Sequence, residues 1–192
     1  MGTTAVVNIV TTVVDLIIRA VGFCLSGDTL VTVLGKERIY KKPVSEVGIG
    51  ELIQTYNGND LVYSEVISNT VDEGPKNFFT FKIKDKKSNI KSISTTENHP
   101  MIIFKEESNK INIKYANKIR LGDLVRTTEG LGEIIEIRNE IKNNSYRLRV
   151  EQGTVLANDI LVGAFYAKED EINQKKLNKI LDTTRISIEN KN

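Results

Sequence analysis

Val44-Ser-Glu-Val-Gly-Ile-Gly-Glu-Leu-Ile-Gln-Thr-Tyr-Asn-Gly58 aligns without gaps on Ala116-Asn-Lys-Ile-Arg-Leu-Gly-Asp-Leu-Val-Arg-Thr-Thr-Glu-Gly130. Gly50, Leu52, Thr55 and Gly58 recur as Gly122, Leu124, Thr127 and Gly130, and Val47, Ile49, Glu51 and Ile53 each meet a near-equivalent. With small slips the register extends to Phe79–Ile83 over Tyr146–Val150. A solenoid needs about three or more copies, so two copies predict two intertwined β halves around a pseudo-two-fold axis.

The sequence around the repeat agrees. Short alternating apolar runs punctuated by turns read as strands. They are Thr29–Val33, Glu51–Tyr56, Leu61–Tyr63, Val66–Ile67, Phe78–Ile83, Met101–Phe104, Ile111–Ile113, Glu133–Ile137, Tyr146–Val150 and Val155–Val162. Asn57-Gly58 is a hairpin signal, because both residues tolerate positive φ. Lys105–Lys110 and Asn139–Ser145 read as exposed loops. The expected fold class is all-β.

Ahead of this body, Ala5–Val21 places Val6, Val10, Val13, Ile17 and Val21 on one face at helical period. Asn8, Asp15 and Arg19 interrupt it, so it is read as an amphipathic helix packing on the body rather than a membrane span. It lacks the basic start of a signal peptide. At the other end, Lys168–Asn192 is a charged tail with a short stripe at Leu177, Ile180 and Leu181.

Composition narrows the function. The chain has 192 residues, enough for one domain with a real core. Its formal net charge is +2 on 27 basic and 25 acidic side chains, interspersed, which argues against a nucleic-acid groove. With one cysteine and one histidine there is neither an internal disulfide nor a Cys/His zinc cluster. No metal and no cofactor is expected, and the chain reads as a monomer acting in cis. Its compartment, cytoplasmic or secreted within a larger precursor, is left open by the sequence.

That one cysteine, Cys24, lies in Gly22-Phe-Cys-Leu-Ser-Gly-Asp-Thr29, and the histidine in Thr96-Glu-Asn-His-Pro100. A lone cysteine is often a small buried hydrophobe, and a lone histidine often a turn residue. Together they are also the minimum kit for acyl transfer through a thioester. In that reading Cys24 attacks the carbonyl of Phe23. His99 protonates the released amine, and Thr96 holds the scissile carbonyl or orients the imidazole.

Cys24-Leu-Ser-Gly-Asp-Thr29, Gly50-Glu-Leu-Ile53, Thr96-x-x-His99-Pro100, Ala116-x-x-x-x-x-Gly122-Asp-Leu-Val125 and Gly153-Thr-Val-Leu-Ala-Asn-Asp-Ile-Leu-Val162 resemble the hedgehog/intein (Hint) superfamily. The resemblance covers about Cys24 to Ala167. It implies a Hint autoprocessing domain at 24–167, an N-terminal flanking segment 1–23 that is cleaved or transferred, and a tail 168–192. It also implies Cys24 as nucleophile, with Thr96 and His99 as its helpers.

Departures from the family shape the expected activity. Splicing inteins end in His-Asn followed by Cys, Ser or Thr, whereas this chain has Gly163, Ala164 and Phe165. The acidic residue inteins often carry in the preceding strand is Arg147 here. The expectation is therefore a non-splicing cysteine peptidase or acyl transferase, nearest to hedgehog-type domains. Its thioester at Phe23–Cys24 is resolved by water, a thiol or an alcohol. Sterol transfer would need an acidic activator. Asp72 is the nearest candidate beside Glu73, unless Val71 takes the slot, and Phe23 replaces the glycine typical of hedgehogs. The reading from another class is a silent Hint-fold binding or structural module.

Overall fold

The structure, a computed structural model, describes residues 24–56, 60–104 and 111–164. The expected N-terminal helix, the Asn57-Gly58 turn, the 105–110 loop and the charged tail lie outside these residues.

Among the described residues the chain forms twelve strands and two single 3-10 turns. The first half runs β1 (Leu25–Ser26), β2 (Leu30–Leu34), β3 (Ile39–Pro43), a 3-10 turn (Val44–Glu46), β4 (Leu52–Tyr56), β5 (Leu61–Asp85) and β6 (Ile90–Thr96). The second runs β7 (Pro100–Phe104), β8 (Ile111–Tyr115), a 3-10 turn (Ala116–Lys118), β9 (Leu124–Thr127), β10 (Gly130–Val150), β11 (Thr154–Ala157) and β12 (Ile160–Gly163). All strands belong to one antiparallel sheet.

The repeat folds twice into the same unit. In each copy a glycine at φ +83° turns the chain into the next strand, Gly50 in one and Gly122 in the other, a conformation that favours glycine. Gly50 N–H donates to Val66 O, and Gly122 N–H to Ile134 O, both at 2.9 Å. The acid after each glycine closes the turn. Glu51 accepts the Gly48 N–H and pairs with Lys42, and Asp123 accepts the Arg120 N–H and pairs with Lys114. The cores match as well: Val44, Val47, Ile53 and Val66 are buried in one half, and Ala116, Ile119, Val125 and Ile134 in the other.

Strands β5 and β10 wind the halves together. Val66 pairs with Val150 and Ile134 with Ile83, so the relation that carries Val66 to Ile134 also carries Val150 to Ile83. That is the register the slipped alignment of Phe79–Ile83 on Tyr146–Val150 predicts.

Three readings need correction. Asn139–Ser145 is not a loop but the middle of β10, paired from Asn139↔Phe79 to Ser145↔Asp72. This stretch of the ribbon carries few buried side chains, so polar residues serve there and the alternation that marks a half-buried strand is lost. Likewise Leu61–Ile67 and Phe78–Ile83 are parts of one 25-residue strand. Val155–Val162 is not one run but the hairpin β11–β12. Its turn is Asn158-Asp159 at φ 49° and 64°, the left-handed pair a two-residue hairpin requires.

The ribbon bends at its centre. Gly74 (φ +91°) and Asn144 (φ +63°) face each other beside a register shift, and Gly74 N–H donates to Asn144 Oδ1 at 3.0 Å. The bend lies beside the pairing of Asp72 with Ser145, where β1 also docks.

Candidate active site

Strand β1 brings Cys24 into the sheet between the two halves. Leu25 pairs with Tyr146 of β10 on one side and with Thr95 of β6 on the other. This wedges Cys24 beside the end of β6, and the residue is 1% exposed. Thr96 holds its backbone three ways. The Thr96 hydroxyl accepts the Cys24 N–H at 2.9 Å, the same hydroxyl lies 3.4 Å from Cys24 O, and the Thr96 N–H donates to Cys24 O at 3.0 Å. Since the Cys24 nitrogen belongs to the Phe23–Cys24 bond, Thr96 touches the nitrogen side of that bond. Phe23, whose carbonyl sequence reasoning assigned to Thr96, lies outside the described residues.

The turn after β6 delivers the histidine. His99 N–H donates to Thr96 O at 3.0 Å and Ala116 N–H to His99 O at 2.9 Å, which fixes the backbone on both sides of the ring. The side chain is fully buried, and neither ring nitrogen has a hydrogen-bond partner of normal geometry among the described residues. Burial pushes its pKa down to about 3, against an opposing pull from the backbones of Gly163 and Cys24, which flank the ring. His99 is therefore a neutral imidazole at neutral pH, not the partly protonated group an unperturbed value near 6.5 implies. Gly163 ends β12, so the residue before β1, Cys24, and the last residue of β12 meet at this ring.

The thiol faces the ribbon. Burial raises its pKa, while a hydrogen bond from Ser145 and the charge and hydrogen bond of Arg147 lower it, and the carboxylate of Asp72 adds to the rise. Ser145 and Arg147 are themselves buried. Asp72 pairs with Ser145 across the ribbon and with Lys76 Nζ at 3.1 Å, whereas Val71 pairs with Tyr146 and is largely exposed. Of the three residues named for the slot, Asp72 is the one whose charge reaches the thiol. Glu73 is exposed at the bend.

The structure thus brings together Cys24, Thr96, His99 and, at the edge, Asp72. Sequence reasoning missed Ser145 as a neighbour of the sulfur and noted Arg147 only as a departure from family pattern. The repeat alignment held the signal: Tyr146 starts its second β segment, and Ser145 and Arg147 flank that position on the opposite face. Among the described residues no group of three or more His, Cys, Asp or Glu side chains could hold a metal ion, and no helix is long and apolar enough to cross a membrane.

This arrangement, with two β units wound about a pseudo-two-fold axis and the Cys24 backbone beside a Thr-x-x-His turn, is the hedgehog/intein (Hint) fold. Known structures carry the same fold. The gp41-1 intein superposes with a TM-score of 0.56 at 19% identity, covering 73% of this chain and 97% of its own. A DnaB intein from Synechocystis gives 0.59 at 17% identity, covering 74% and 98%. A bacterial intein-like domain from Clostridium thermocellum gives 0.54 at 18% identity, covering 74% and 97%. No protein-family model and no curated protein matches the sequence. What the chain shares with these intein domains is the fold.

Proposed function

We propose that this domain is a single-turnover autoprocessing module that cuts or transfers its own N-terminal segment through an internal thioester at Cys24. The observation that carries the reading is the convergence of the Thr96 hydroxyl on the Cys24 N–H with the buried His99 ring between the backbones of Cys24 and Gly163.

The step is an isomerisation. Cys24 Sγ bonds to the Phe23 carbonyl carbon, the bond from that carbon to the Cys24 nitrogen breaks, and the thiol proton ends on the new amine. Burial makes the imidazole a weak base, and any proton it does carry is passed readily to the departing amine nitrogen. Thr96 holds the nitrogen of the scissile bond in place, which restricts the peptide to the geometry of attack. Water, a thiol or an alcohol then takes the acyl group.

The reading excludes splicing. Ala164, where inteins carry asparagine, has no side-chain amide to cyclise, and Phe165 offers no second nucleophile. Hydroxylamine at neutral pH tests the thioester, because it traps an acyl-sulfur bond and leaves amides intact. Release of residues 1–23 as a hydroxamate supports the reading, and an intact chain after prolonged incubation contradicts it. One observation favours a silent Hint-fold module instead: the thiol is buried and its pKa raised, so little of it is nucleophilic at rest. An intact chain would select that reading.

A further inference from the structure

We propose that Arg147 is a positioning residue for the thiol chemistry, its guanidinium favouring the attacking, negatively charged form of the Cys24 sulfur against the cost of burying it. The inference rests on the autoprocessing reading and adds to it a cation-stabilised sulfur. The geometry begins with register. Leu25 pairs with Tyr146 and Ser26 with Ser145, so the antiparallel ladder sets Arg147 across from Cys24. Side chains alternate along a strand, which puts Cys24, Ser26, Ser145 and Arg147 on one face and Leu25 and Tyr146 on the other. Arg147 is 8% exposed and hydrogen-bonds the Cys24 sulfur, and Ser145, at 1%, does the same.

The groups facing the sulfur are few. From β10 come Arg147 and Ser145, and from β5 comes Asp72, its charge offset by Lys76. The His99 ring, neutral at working pH, lies against the Cys24 backbone instead. Arg147 is the cation among them that hydrogen-bonds the sulfur. A guanidinium stays charged across the whole working range, so it does not titrate with the thiol. It also presents fixed donors to a charge that develops as the thiol proton leaves, in a site closed to water. Once the sulfur is acylated that charge is gone, so the help is specific to the attacking state.

The test compares wild type, Arg147→Gln and Arg147→Lys in the full chain, with far-ultraviolet circular dichroism to confirm folding. Cleavage in dithiothreitol is followed by intact mass from about pH 6 to about pH 9.5, a range that brackets thiol ionisation. The Gln variant should cleave about tenfold slower at neutral pH, with its profile displaced upward by about one pH unit and its rate approaching wild type at the alkaline end. The Lys variant should recover most of the loss. A uniform loss at every pH, or an unchanged profile, would overturn the inference. Should wild type not cleave at all, the autoprocessing reading fails. The thiolate absorbance of Cys24, read against Cys24→Ser, then still reports on Arg147. A higher midpoint in Arg147→Gln supports the contact with the sulfur, and an unchanged midpoint overturns it.

Discussion

The hydroxyl of Thr96 accepts the backbone N–H of Cys24 at 2.9 Å across 72 positions of chain, and the Thr96 N–H returns a bond to Cys24 O. A single threonine so fixes both polar groups of the Cys24 backbone, and with them the nitrogen of the Phe23–Cys24 bond. Thr96→Val removes the acceptor and leaves a buried N–H without a partner, which costs about 1–3 kcal/mol. Cleavage should fall by at least about tenfold and the melting temperature should drop, while Thr96→Ser keeps most of both. Rates from intact mass together with thermal denaturation check this. An active, fully stable Val variant would show the bond to be incidental.

Acid should destabilise the fold through His99. Its folded pKa of about 3 lies below the unfolded value, so the folded state binds fewer protons. The stability it contributes is complete above about pH 6.5 and is lost as pH falls from there towards 3. By pH 4 the loss is roughly 3 kcal/mol. Urea denaturation of wild type and His99→Gln across this range separates the histidine from the carboxylates, since the variant should lose that much less on acidification. Parallel curves would show that the imidazole is not the titrating group.

The two repeat glycines should be equivalent in cost. Gly50 and Gly122 share φ +83°, and a Cβ at Gly50 would meet nothing within 4 Å, so Ala there is penalised by backbone conformation alone. Each Gly→Ala change should lose about 1–2 kcal/mol. Gly132→Ala should cost at least as much by another route, because its Cβ would lie 2.5 Å from Ile83 Cγ2 and 3.3 Å from Lys84 O. Denaturant midpoints check all three, and a large difference between Gly50→Ala and Gly122→Ala would break the equivalence of the halves.

These glycines show why the fold was readable from sequence. Gly50 and Gly122 need positive φ, Glu51 and Asp123 close the turns beside them, and each pair leaves the same mark twice. Cys24, Thr96 and His99 stood out as the sole thiol, the sole imidazole and the motif around it, and the fold gathers them. Other features left no such trace. Strand β6 went unread because Ile90-Lys-Ser-Ile-Ser-Thr-Thr96 buries its last four residues in a row and never alternates cleanly. The middle of β10 was masked by its polar composition, which a ribbon with two wet faces permits. The neutral state of His99 depends on burial by distant strands, and the place of Arg147 on β1–β10 pairing. Local sequence carries neither.

The central claim is a thioester formed by Cys24, and its most direct test is the intact mass of wild type and Cys24→Ala, each incubated with and without a small thiol. The account predicts loss of residues 1–23 from wild type only, faster with thiol, the thiol's mass carried on the released fragment. Cleavage of Cys24→Ala at the same bond, or two chains that stay whole under thiol, would contradict it.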